Sequence, residues 1–207
     1  MKSLEFPLPT LTMTYDECNK IMKIVKQGLL NKSRVSISIP SSALYGSAKE
    51  GGLQLNHLYH TQGLMHLNKF VRFLDSQTIT GKLIRVSLEI AIVELGIGRN
   101  LFSLDYTRFH CLLSDSWIKS LLRFAHEYGI SIVDRITSFP LPKRVGDVFL
   151  MEAFEHQGYP KKQLQILNRC RIYLQVVMLS DIMTGNGDSF TMTFRSERDH
   201  QVHNTYK

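Results

Sequence analysis

The acidic, histidine, cysteine and basic residues of this 207-residue chain are the ones that could do chemistry, and most of the familiar arrangements are missing. No two aspartates stand side by side, so neighbouring residues do not supply the paired carboxylates that hold two metal ions in a nucleotidyl transferase. GxSxG, GxxxxGK(S/T) and HExxH are likewise absent, which removes the usual signatures of a nucleophile elbow, a phosphate loop and a zinc protease. Gly96-Ile97-Gly98 follows an expected helix rather than a strand and lacks the rest of a dinucleotide fingerprint. His57, His60 and His66 fall on one expected helix, and the first two, three residues apart, can share a face. Zinc would need two more converging ligands, and none is near in sequence, so these read as exposed or partly buried histidines. His110 and Cys111 are adjacent and therefore point apart, which makes Cys111 a small core residue rather than a thiolate beside its base. Asn186-Gly187-Asp188 lacks the other oxygen ligands of a calcium loop and reads as a turn. No metal site and no cofactor is expected.

The basic residues are more informative. Lys69 and Arg72 stand three apart, Lys82 and Arg85 repeat that spacing, and Lys162, Gln165 and Arg169 follow at 3-4 spacing with Lys161 alongside. Cations one helical turn apart match the scale of successive phosphates and suit a helix laid along a nucleic-acid backbone. The plainer alternative is a solvated helix face, partly self-neutralised where Arg85 meets Glu89 and Arg123 meets Glu127 at i,i+4. The net charge of +7 attracts polyanions, or simply aids solubility. Arg171 differs from these: with Asn168 and Gln175 it forms a polar strip on an otherwise apolar helix. It is expected to be buried or interfacial and paired with an acid such as Asp147 or Asp181.

The elements that must position these residues are mostly helices. Thr14-Tyr15-Asp16-Glu17 has the form of a capping box, and Ile21, Met22, Ile24 and Val25 follow on one face until Gly28 ends or weakens the helix. Arg34 to Pro40 alternates as a short strand or extended connector. The next helix runs to about Leu74 with Leu64, Leu67, Val71 and Leu74 as its core stripe, widened by Phe70. The one from about Thr80 to Leu95 is apolar nearly all round and should be buried. Ser114 is expected to cap a helix carrying Trp117, Leu121, Phe124 and Tyr128, with Gly129 as its stop and Ile130 to Val133 as a brief strand. After a Pro-bearing loop over 138–146, Asp147 begins a short helix, and Pro160 opens the longest one, reaching about Met183 and also expected to be deeply buried. The fold class is thus mainly α, an irregular helical bundle with at most a few short strands. A pattern break near Gly98 divides it into a helical subdomain over 1–98 and a second over 99–194, with a flexible tail over 195–207. Cys18, Cys111 and Cys170 are far apart with no CxxC pair, which suits a reducing compartment, nucleus or cytoplasm. No signal-peptide core or membrane-spanning run is read, so the expectation is an intracellular chain with no membrane partner.

Lys49-Glu50-Gly51-Gly52-Leu53-Gln54-Leu55-Asn56-His57-Leu58 resembles the block reading roughly K-x-G-G-L-G-(L/I)-x-(D/N)-L that follows the polymerase palm in non-LTR retrotransposon reverse transcriptases. Gly51, Gly52 and Leu53 carry the match, while Gln54 stands where the family has its last glycine. Phe6-Pro7-Leu8-Pro9, the helix from Asp16 to Leu30, and Leu44-Tyr45-Gly46 resemble the same thumb-side region. Leu167-Asn168-Arg169-Cys170-Arg171-Ile172-Tyr173-Leu174-Gln175, then Leu179-Ser180-Asp181-Ile182, is similar to a block after the polymerase in retroelement-like reading frames. The resemblance implies a thumb and connector that grips a template-primer duplex while a palm, in cis or in trans, performs the chemistry. Lys69, Arg72, Lys82, Arg85, Lys161, Lys162 and Arg169 would then contact phosphates, and Arg171 would organise the last helix. The isolated chain is not expected to be an enzyme. The alternative is a helical protein-interaction scaffold, or a decayed element remnant with no nucleic-acid role.

Overall fold

The Thr14 hydroxyl accepts from the Glu17 amide at 3.3 Å, and the Glu17 carboxylate accepts from the Thr14 amide at 2.7 Å. This reciprocal cap starts the first helix of a computed structural model that describes residues 7–32, 34, 36, 38–132 and 144–190. Among them are eight α-helices, several short 3-10 turns and no strand, with isolated bridges only at Phe149–Met178 and Met183–Phe190. The protein is mainly α. Two compact units divide between Gly81 and Lys82, earlier than the pattern break at Gly98, and each is taken by itself below.

In the first unit, α1 (Tyr15–Lys32) passes through Gly28 instead of ending there. The helix α2 (Ser41–Tyr45) is one short turn, and α3 (Leu58–Phe73) packs on α1. The strand expected over 34–40 is not formed among the described residues, where Ile39 closes a turn onto the Ser36 carbonyl at 3.2 Å; Ser33, Val35 and Ile37 lie outside them.

The α3 core stripe is a correction. Leu64 and Val71 are 60% and 67% exposed, and the buried line is Tyr59, Gln62, His66, Phe70 and Leu74. Polar groups explain the rotation. Gln62 accepts from the Met13 amide at 3.1 Å and donates to the Met13 carbonyl at 3.0 Å, so its amide is satisfied by the segment that precedes α1. Lys69, two turns along the same face, donates to the Pro9 carbonyl at 3.4 Å. A stripe that binds backbone is buried without being apolar, and hydrophobic periodicity does not register it.

The second unit begins within α4 (Ile79–Leu95), followed by the single turn α5 (Tyr106–Phe109), α6 (Trp117–Glu127), α7 (Leu150–His156) and α8 (Lys161–Leu174). On α4, Ile84, Leu88, Ala91, Ile92 and Leu95 are buried, but Leu83, Val86, Ile90 and Val93 are exposed, so this helix is not buried all round. Ser116, not Ser114, caps α6, accepting from the Lys119 amide at 3.2 Å. The α6 core is Ile118, Leu121, Leu122, Phe124 and Ala125, with Trp117 half-buried and Tyr128 exposed. Residue 133 of the brief strand expected after Gly129, and residues 138–143 of the following loop, lie outside the described residues, as does the tail over 195–207.

The helix expected from Pro160 to Met183 stops at Leu174. Gln175 takes the left-handed conformation (φ 56°), and the amides of Gln175 and Val176 close onto the Ile172 and Arg171 carbonyls. The turn brings Val177 back beside the start of α7, where its carbonyl accepts from the Leu150 amide at 3.0 Å. Asp147 lies ahead of α7 rather than in it, its carboxylate accepting from the Val148 and Ser180 amides. The buried line of α8 is Leu164, Asn168 and Arg171, while Ile166, Ile172 and Tyr173 are each 48% exposed.

Candidate functional site

The glycine block closes the end of α2. Amides of Gly52, Leu53, Gln54 and Leu55 donate to the carbonyls of Ser47, Ala43, Gly46 and Leu44 at 2.8–3.0 Å, which satisfies the acceptors that a helix C-terminus leaves over. A Cβ on Gly52 would lie 2.2 Å from the Gly46 carbonyl oxygen, so only glycine fits. Gly51 (φ 81°) and Gln54 (φ 51°) are both left-handed. Leu53 is 42% exposed.

This loop delivers Leu55, Asn56 and His57 to a cleft of about 770 Å³ in the first unit, walled by Tyr15 and Asn19 of α1, Ser41 and Tyr45 of α2, and His60, Thr61, Leu64, Met65 and Asn68 of α3. His57 is its fixed point. Its Nδ1 accepts from the Tyr59 amide at 3.2 Å, so its proton is on Nε2, which donates to Asn19 Oδ1 at 2.8 Å. Burial, with His60 beside it, lowers the pKa of His57 and favours this neutral form. Tyr15 stacks on the His57 ring (centroids 5.3 Å apart, planes at 17°), and Tyr45 and His60 approach it at 5.8 and 5.2 Å. Burial, reinforced by Tyr15, raises the Tyr45 pKa and keeps that phenol protonated. Among the described residues no carboxylate, lysine or arginine lines the cleft. His57 and His60 do meet, but no cluster of three His, Cys, Asp or Glu is assembled among the described residues.

Arg171 is buried, and its fork is filled without a carboxylate. Nε and Nη2 donate to Asn168 Oδ1 at 3.0 and 2.8 Å, Nη1 to the Val176 carbonyl at 3.2 Å, and Nη2 also to the Val93 and Glu94 carbonyls at 2.6 and 2.8 Å. Asn168 Nδ2 donates to the Glu94 carbonyl at 2.9 Å. The pair therefore caps the C-terminus of α4, where helix carbonyls concentrate negative potential. Gly96 (φ 62°) leaves room, since a Cβ there would lie 2.7 Å from the guanidinium. Burial lowers the Arg171 pKa to about 10, so the cation persists at neutral pH. The expectation of an acidic partner is corrected: Asp147 is occupied by Ser180, and Asp181 accepts from the Val177 and Met178 amides at 2.8 and 2.9 Å.

The expected phosphate contacts fare unequally. Lys69 is drawn onto Pro9, and Lys161 donates to the Thr107 carbonyl at 2.9 Å. Arg72 is exposed, with its guanidinium 5.5 Å from the Phe73 ring centroid. In the second unit Lys82, Lys162 and Arg169 are exposed and Arg85 is half-buried. Ion pairs join Arg99 to Glu152 and Glu155, Arg108 to Glu155, and Lys119 to Asp115. Lys20 and Lys23 on α1, which are not among the basic stripes expected from the sequence to contact phosphates, are also exposed and take part in none of these pairs.

No protein-family model matches the chain, and no curated protein or solved structure is found similar to it. Among the described residues no helix is long and apolar enough to cross a membrane.

Proposed function

We propose that this chain is a non-catalytic nucleic-acid-gripping module, acting as the thumb and connector act beside the polymerase palm in the reverse transcriptases its sequence resembles. The observation that carries the reading is the set of exposed helix-face cations outside the ion pairs of the described residues: Lys20 and Lys23, Arg72, Lys82, and Lys162 with Arg169 two turns apart. Such side chains neutralise phosphates at little desolvation cost, and phosphate contacts fix position without reading sequence. Lys69 leaves the set because it holds the chain's own backbone.

The test is binding to hybrid duplex and single-stranded oligonucleotides over a range of salt. Four to six contacts predict a slope of log affinity on log salt of roughly −4 to −5 on B-form DNA. Lys162→Gln with Arg169→Gln should reduce that slope by about two for every sequence alike. Lys119→Gln removes a cation already bonded to Asp115 and the Leu113 carbonyl and should change it far less than Arg169→Gln. Absence of salt-dependent binding would defeat the reading.

A protein-interaction scaffold is the second reading, and one observation favours it. Val86, Ile90 and Val93 of α4 with Ile172 of α8 line an apolar groove of about 280 Å³, the kind of surface that marks contact sites when it is exposed. If no nucleic acid binds at low salt, this surface becomes the functional one.

A further inference from the structure

Resting on the nucleic-acid reading, we propose that the cleft between α1, α2 and α3 receives an unpaired nucleobase of a single strand, stacked against the Tyr15–Tyr45 wall and hydrogen-bonded by side-chain amides. The cleft's size lies within the range of small-molecule sites, and among the described residues its lining carries no carboxylate, lysine or arginine that would select a metal ion or seat a phosphate inside. Tyr15 and Tyr45 are 49% and 37% exposed, so aromatic surface is open at the mouth. The His57 ring behind them is held on both nitrogens by Asn19 and Tyr59, which makes the wall rigid before any ligand arrives. The side chains of Asn56 and Asn68 and the Asn19 Nδ2 make no hydrogen bond within the described residues. An amide that offers a donor and an acceptor together is what the edge of a base requires. Lys23 follows Asn19 by one turn of α1 and is exposed, so a cation stands about one helical pitch from the cleft, on the scale of the next phosphate. A neutral sugar would match the stacking and the amides but gives that lysine no role.

The experiment compares the full chain's affinity for a short single-stranded oligonucleotide and for an abasic strand of the same length and charge. The base-bearing strand should bind about tenfold or more tightly, the usual scale of stacking on an aromatic platform. Tyr15→Ala should remove most of that ratio and Tyr15→Phe should keep it, while Lys162→Gln with Arg169→Gln lowers both affinities together. Asn68→Leu, at an exposed position of α3, should also shrink the ratio, and circular dichroism checks that each variant is folded. Equal affinity for the two strands in the unaltered chain would overturn the base site and leave the phosphate grip standing. Failure to bind either strand would overturn both.

Discussion

At the scale of single residues, two buried polar side chains carry the strongest predictions. Arg171 satisfies two carbonyls at the end of α4 and one just past the end of α8, and no carboxylate shares that work. Arg171→Lys keeps the charge but loses the planar fork that reaches several acceptors at once. It should cost about 2–4 kcal/mol, since buried acceptors left unsatisfied cost roughly 1–3 kcal/mol each; urea unfolding measures it. His57 gives the second. Its folded pKa lies below its unfolded value because of burial and then His60. The unfolded chain therefore takes up the proton first, and the associated stability is present above about pH 6.5 and lost as pH falls below it. Tyr15, Tyr45 and His60 surround the ring, and among the described residues no carboxylate faces it from the cleft to stabilise the protonated form. Protonation of Nδ1 would also remove the acceptor for the Tyr59 amide. His66 is shifted the same way, chiefly by burial. Urea midpoints should thus fall between pH 7.5 and pH 5 (about one unit or more either side of the ordinary histidine range), and His57→Asn should make that fall shallower.

At the scale of elements, the glycine block shows how a motif that looks functional can be structural as well. Its amides close α2, and Gly52 is compelled by the Gly46 carbonyl. Gln54 occupies a left-handed conformation, φ 51°, which costs a side-chain-bearing residue about 1–2 kcal/mol. The missing glycine of the resembled block falls at this residue, so the backbone still adopts the shape that glycine would allow without strain. Gln54→Gly should therefore raise stability by about 0.5–1 kcal/mol despite the greater freedom of the unfolded chain. A loss of stability in a denaturant titration would mean that the glutamine side chain holds the loop. Helix α6 teaches the complementary lesson, because the 4-3-4 series picked out Leu121 and Phe124 correctly but set the stripe too far toward Trp117 and Tyr128.

At the scale of the whole molecule, the proposed function rests on charge and on the absence of adjacent carboxylates in the sequence. Two-metal phosphoryl transfer needs carboxylates held together. The chain with template, primer, nucleotides and magnesium or manganese should give no extension product; activity that co-purifies with this polypeptide would contradict the proposal. The net charge of +7 is a property of the sequence, but which cations are available is decided by the fold. Arg99 and Arg108 meet Glu152 and Glu155 across more than forty positions of chain, and no local pattern announces that pairing.

Local interactions were legible because their partners lie within a turn of each other: the Thr14–Glu17 cap, Gly96 and Gly129 as helix stops, and the mainly α class all follow from nearby residues. Hydrophobic stripes do not mark the buried face wherever burial rests on polar contacts with distant backbone. Gln62 finds Met13 at a separation of 49 residues, and Arg171 finds Val93 at 78. The cleft is of the same kind. Tyr15, Asn19, Tyr45 and His57 have no shared spacing, and only the packing of α1 on α3 with the capped end of α2 makes them one surface. Composition and local spacing set the helices and the charge; long-range hydrogen bonds chose which faces are buried, and so which residues remain to meet a ligand.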